Sequence, residues 1–150
     1  MVAQAQIVPM RRTFTRLQRL LADELKPRDI ELIARVEPET LEITADADLL
    51  DQALINLMRN AMDALRDKRA GRVTLAATQD ATGRPVITVI DNGLGIAPEQ
   101  REKVFVPFYA TKRHGSGVDL TLVRQIAAVH GASVNISETD GGGATVSMRF

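Results

Sequence analysis

The sequence predicts an α/β domain in which long amphipathic helices lie against a sheet. Three observations carry that expectation. A wide apolar helical face is built from Leu49, Leu50, Ala53, Leu54, Leu57, Met58, Ala61 and Leu65. β-Branched runs bounded by turn residues surround it, most plainly Val86-Ile87-Thr88-Val89-Ile90. At 150 residues and 45% hydrophobic content, the chain can bury one proper core and has little room for two.

The elements follow in order. Met1 to Pro9 shows no clear pattern and is expected to be a frayed lead-in. Between Arg11 and Lys26, Phe14, Leu17, Leu20, Leu21 and Leu25 form one apolar helical stripe that Pro27 ends. Ile30 to Val36 alternates as a strand, and Leu41 to Thr44 is a second after the Pro38 turn; the two would pair as an antiparallel hairpin. Asp46 or Asp48 caps a helix that runs through about Lys68, with Gly71 as its stop. Arg72–Gln79 and Val86–Asp91 are partner strands about an Asp80–Arg84 turn. Val118–His130 is helical, and Ala132–Ser137 and Ala144–Phe150 are strands joined by Asp140-Gly141-Gly142-Gly143. One boundary is expected near residue 27, dividing an N-terminal tail and linker helix (1–27) from an α/β body (28–150).

Composition removes several function classes. Lysine plus arginine equals aspartate plus glutamate at 19 each, so no surface is built mainly to hold nucleic acid or an anionic membrane. There is no cysteine, which excludes disulfides and zinc–thiolate sites and suits a reducing cytoplasm. No apolar run approaches the roughly 20 residues that span a bilayer, and the N-terminus lacks a signal pattern. Aromatics, at 3%, are too few for base-stacking platforms. The expectation is a cytoplasmic domain, or a fragment of a larger protein.

The informative stretch runs from Val86 to Gly117. Its strand ends on Asp91-Asn92-Gly93-Leu94-Gly95, where glycines allow a sharp turn and close backbone approach to a ligand. A polar, glycine-punctuated loop with Thr111, Lys112, Gly115 and Gly117 follows. A carboxylate at a strand end, beside glycines and a basic loop before a helix, suggests a nucleotide site in which Asp91 accepts from an adenine amino group. In the long helix, Asn56 and Asn60 stand four apart, hence on one face, among apolar neighbours. Asparagine is costly to bury without partners. The pair is either a set of hard oxygen ligands suited to Mg²⁺ and phosphates, or two surface or loop-capping residues.

Five segments then fall in a telling order: LINLMRNAMDAL (54–65), VIDNGLGI (89–96), VFVPFYATK (104–112), GSGVDLTLVRQI (115–126) and GGGATV (141–146). They resemble the N, G1, F, G2 and G3 boxes of the ATP-binding catalytic domain of bacterial sensor histidine kinases, over roughly residues 28–150. F-x-P-F-x-x-T-K before a short G-x-G loop looks most like the nitrogen-regulator type. The resemblance implies a two-layer α/β sandwich, the Bergerat ATP-binding fold: a mixed, mostly antiparallel sheet of about five strands with helices on one face.

It also implies roles. Asn60, assisted by Asn56, would hold Mg²⁺ bridging the ATP phosphates. Asp91 would read the adenine amino group, with Thr145 in the same water network. Gly93 and Gly95 would let the backbone lie against the base, and Ile96 would wall it. Phe105 and Phe108 would anchor the lid, and Lys112 would approach the terminal phosphates as a catalytic cation. Gly115, Ser116 and Gly117 would present amides to phosphate, and Asp63, Thr111, Val118 and Leu120 complete the expected ATP-binding set. In the wider superfamily of gyrase, mismatch-repair and chaperone ATPases, the residue matching Asn56 is usually a glutamate base. A carboxamide cannot activate water in that way. The resemblance therefore implies phosphoryl transfer to a histidine with little hydrolysis. An anti-sigma-type serine kinase of the same fold is disfavoured on the same ground.

Two departures stand out. No phosphoacceptor histidine is visible: His114 falls in the lid, and His130, at a helix end, reads as a packed or capping residue. The dimerisation and phosphoacceptor domain would lie elsewhere, with a response regulator as the onward partner and a monomer as the state of the domain alone. Its N-terminal helix stripe would self-associate only if left uncovered. Second, Asp119 stands where the G2 box normally has a third glycine. Its side chain and charge would weaken ATP binding, and a nucleotide-silent interaction module is the alternative this residue favours.

Overall fold

A computed structural model of the chain describes residues 1–93, 120–139 and 142–150. They form β1 (Gln6–Pro9), α1 (Met10–Leu25), a 3-10 turn (Lys26–Arg28), β2 (Glu31–Val36), β3 (Glu42–Ala45) and α2 (Ala47–Ala64). Then come β4 (Arg72–Gln79), β5 (Pro85–Asp91), α3 (Thr121–Val129), β6 (Ser133–Glu138) and β7 (Ala144–Arg149).

Five strands make a mixed sheet in the order β2-β4-β5-β7-β6. β2 and β4 run parallel; the other neighbours are antiparallel. Ile87 is level with Met148 and Val89 with Val146, so these side chains share one face. They join a single core with Leu54, Leu57 and Met58 of α2 and Val123 and Ile126 of α3. On the other face stand short hydroxyl side chains, with Thr88 and Ser147 3.4 Å apart. One face on the core and one polar face is what antiparallel alternation produces. The two-layer sandwich expected from the sequence is the fold that forms.

The N-terminal third departs from expectation. Residues 6–9 are not frayed: β1 pairs antiparallel with β3, Gln6 level with Ala45 and Pro9 with Glu42. β2 and β3 make no hairpin with each other. β2 instead lies parallel to β4, Glu31 level with Arg72 and Val36 with Ala77, reached through a crossover that contains α2. Leu41, Ile43 and Ala45 of the β3 segment, which pairs with β1, are buried in the one core against which Leu32, Ala34 and Val36 of β2 also pack. Nor does packing break near residue 27. Met10, Phe14, Leu17, Leu21 and Leu25 of α1 sit in the same core as α2 and the sheet, which covers the stripe; Leu20 alone of that stripe is largely exposed.

α2 begins where Asp46 caps it, Oδ1 accepting from the Leu49 amide at 3.0 Å. Oδ2 of Asp46 accepts from the Gln4 amide at 2.8 Å. These amides, Gln4 first, hold the Asp46 carboxyl below the usual carboxylate range. The helix ends at Ala64 rather than near Lys68. From there the amides of Leu65, Arg66 and Lys68 reach back three residues, and Arg28 Nη2 donates to the Met62 carbonyl at 2.6 Å. Gly71 is buried beyond that turn beside Leu65 and Ile30.

Candidate functional site

β5 alternates, so Asp91 falls on the same, helix-facing side as Ile87 and Val89. Only 6% of it is exposed. Its Oδ1 accepts from the Gly93 amide at 2.9 Å and from the Ala144 amide at 3.3 Å. Burial pushes the carboxyl up from 3.8, and these two amides pull partly against that shift. Among the described residues, Oδ2 accepts no hydrogen bond. A buried carboxylate with one unsatisfied oxygen is a costly feature and a recognition point for a donor.

Backbone packs tightly around it. A methyl group on Gly93 would overlap the Ala64 carbonyl at the end of α2, and one on Gly143 (φ +104°) would overlap the Asp91 carbonyl. Glycine is required at both positions for that reason. Asn56, Asn60 and Ala64 are spaced four apart on α2, so one helical line carries both carboxamides down to the Asp91–Gly93 turn. Asn60 Nδ2 donates to Asn56 Oδ1 at 3.2 Å, and both residues are half-buried. The side-chain oxygen of Asn60 accepts no bond among the described residues. Asp63, beside that line, lies 3.9 Å from Arg66.

Other expected site residues fall elsewhere. Leu120 is buried in the core at the start of α3. Thr145 is level with Ile90, hence on the opposite face from Asp91, and its hydroxyl lies 2.9 Å from that of Thr139. Gly95, Ile96, Phe105, Phe108, Thr111, Lys112, His114, Gly115, Ser116, Gly117, Val118 and Asp119 lie outside the described residues. His130 is packed and capping: its ring stands edge-on to Phe150 with centroids 5.9 Å apart. Nε2 accepts from the Asp46 amide at 2.9 Å, which leaves Nδ1 to donate to the Ile126 carbonyl at 2.7 Å.

Among the described residues, no group of three or more histidines, cysteines or carboxylates forms a metal cage. No helix among them is long and apolar enough to cross a membrane. The sequence reading missed Asn92. Its side chain clips the turn after Asp91 to the 70–72 segment, and the only sequence trace of this is an asparagine between aspartate and glycine.

The fold thus sets a buried aspartate at a strand end against a helix that carries two asparagines. Residues 45–150 match the family of histidine kinase-, DNA gyrase B-, and HSP90-like ATPases, and the chain belongs to it. The chain is 35% identical over 143 residues to sensor histidine kinase ZraS of Salmonella typhi, covering 95% of this chain and 30% of that protein. To the signal transduction histidine-protein kinase AtoS of Escherichia coli (strain K12) it is 31% identical over 119 residues, covering 79% and 19%. The chain thus spans about 30% of the length of the ZraS kinases it is similar to. The catalytic domain of histidine kinase ThkA, nucleotide free, superposes with a TM-score of 0.87 at 24% identity, covering 98% of this chain and 95% of that one. Full-length ShkA in complex with AMPPNP gives 0.81 at 28% identity, covering 97% and 30%.

Proposed function

We propose that this domain binds Mg·ATP between the Asn56/Asn60 helix and the Asp91 turn, and passes the γ-phosphoryl group to a histidine on a dimerisation domain, for relay to a response regulator. The observation that carries the reading is the buried Asp91 carboxylate. One oxygen is fixed by two backbone amides and the other has no partner among the described residues. An adenine amino group supplies the missing donor.

The carboxamide pair fits a magnesium ion. Asn60 Nδ2 is occupied by Asn56 Oδ1, which leaves the side-chain oxygen of Asn60 as a hard ligand. With no carboxylate cage among the described residues, the remaining ligands would be phosphate oxygens and water, as Mg²⁺ prefers. When bound, magnesium neutralises charge on the phosphates. Lys112, outside the described residues, would add a second cation at the terminal phosphate, as the family resemblance implies. Asn56 holds the Asn60 side chain and, lacking a carboxylate, leaves water unactivated, so the nucleophile is an imidazole already competent at neutral pH.

Asp119 supports a second reading, a domain of the same fold that docks partners without nucleotide. Calorimetric titration with ADP and a non-hydrolysable ATP analogue, with and without Mg²⁺, separates the two. The kinase reading expects magnesium-dependent binding in the micromolar range, followed by phosphorylation of a separately supplied histidine-bearing dimerisation domain. Absence of binding at millimolar nucleotide, reversed in Asp119→Gly, selects the second reading. Transfer to a protein serine overturns both.

A further inference from the structure

We propose that Asn92 is a positioning residue for the nucleotide site, holding the Asp91 turn in its binding geometry through a side-chain clip. The proposal rests on Asp91 being the base-reading group, as argued above. β5 ends where its antiparallel neighbour β4 begins, Asp91 level with Val73. One residue further on, regular pairing stops, and Asn92 continues it with both backbone and side chain. Its amide donates to the Arg72 carbonyl at 3.3 Å, while its Oδ1 accepts from the Arg72 amide at 2.7 Å. Its Nδ2 donates to the Ala70 carbonyl at 3.1 Å. A single carboxamide thus satisfies both polar groups of its own head against the neighbouring segment.

That segment is a costly one to hold. Ala70 has φ +55°, the left-handed region that a residue with a Cβ rarely adopts, and residues 66–70 are exposed. The Asn92 carboxamide bridges Ala70 and Arg72, the residues on either side of buried Gly71. On its other flank the turn is closed by Gly93 against Ala64 and by Gly143 against the Asp91 carbonyl. Those are close backbone approaches, which limit how far the turn can move inward but do not tie it to the 70–72 segment. The Gly93 and Ala144 amides fix the Asp91 carboxylate within the turn, and the Asn92 clip is what ties that turn to the 70–72 segment.

The test measures ADP affinity and thermal stability in Asn92→Ala, Asn92→Asp and Asp91→Asn. Asn92→Ala should weaken ADP binding about tenfold, the equivalent of about one strong hydrogen bond. Asn92→Asp keeps the acceptor for the Arg72 amide and loses the donor to Ala70, and should fall between Asn92→Ala and the parent. Amide hydrogen exchange at Arg72 should rise in the same order. If Asn92→Ala lowers the melting temperature but leaves ADP affinity unchanged while Asp91→Asn abolishes binding, the clip is merely structural and the proposal is overturned. If Asp91→Asn binds ADP like the parent, the adenine reading itself has failed. Should Asn92→Ala not fold, affinity in Asn92→Asp decides: parental affinity overturns the proposal.

Discussion

Asp91 sets stability and binding against each other. Its folded pKa lies above the unfolded value of 3.8, because burial penalises the charged form. The folded state therefore holds its proton more tightly, and this residue's contribution to stability declines as pH rises from 3.8 to the raised folded value. Above that value the cost is present in full. Nucleotide binding has the opposite sign, since an adenine amino group needs the ionised acceptor, so affinity falls as pH drops through the same interval. Asp91→Asn keeps a side-chain acceptor for the Gly93 and Ala144 amides and carries no charge. We expect it to melt higher than the parent without nucleotide, by thermal denaturation at pH 7, and to lose at least tenfold in ADP affinity. An equal or lower melting temperature would show that burial of the charge is not costly. The carboxylate itself was legible in the sequence from its place between a β-branched run and two glycines. Asn92 was not, because a D-N-G turn reads as backbone freedom, and the acceptor and donor it meets come from residues 70 and 72, some 20 positions earlier.

At the scale of elements, the α2–β5 junction concentrates the consequences. The line Asn56–Asn60–Ala64 brings the carboxamide face to a backbone contact with Gly93 that leaves no room for a methyl group. Gly93→Ala should therefore destabilise the domain by about 1–3 kcal/mol, as overpacking against rigid backbone does, measurable by urea denaturation. It should also abolish ADP binding at concentrations that saturate the parent; full affinity would mean the turn can shift without harm. α2, β4 and β5 were readable because each repeats its apolar period over seven residues or more. The β2–β3 hairpin was misread for a physical reason. Both are short and close together in sequence, whereas the register of β2 is fixed by β4, across a connection that no local pattern reveals. β1 escaped notice because four residues, two of them apolar and adjacent, show neither period.

For the whole molecule, the single core that spans α1, α2, α3 and the sheet decides what can be cut away. Residues 28–150, the body suggested by the sequence, would lack Met10, Phe14, Leu17, Leu21 and Leu25, all 5% exposed or less. Losing several such side chains at 2–5 kcal/mol each exceeds the whole stability of a typical domain. A 28–150 fragment should show no cooperative melting by circular dichroism, while residues 1–150 melt cooperatively and scatter light as a monomer. Cooperative unfolding of the shorter piece would show that α1 is an appendage after all.

The β1–β3 ribbon has one more consequence, and it is mechanical. Gln4 donates its amide to the same carboxylate that caps α2, and His130 accepts the amide of that same Asp46. Tension applied to the chain ahead of Gln4 is borne at the first turn of the helix that carries Asn56 and Asn60, and from there passes through His130 to the end of α3. Any tether joined at that end would pull on the start of the helix that carries the two asparagines, rather than on a slack leader.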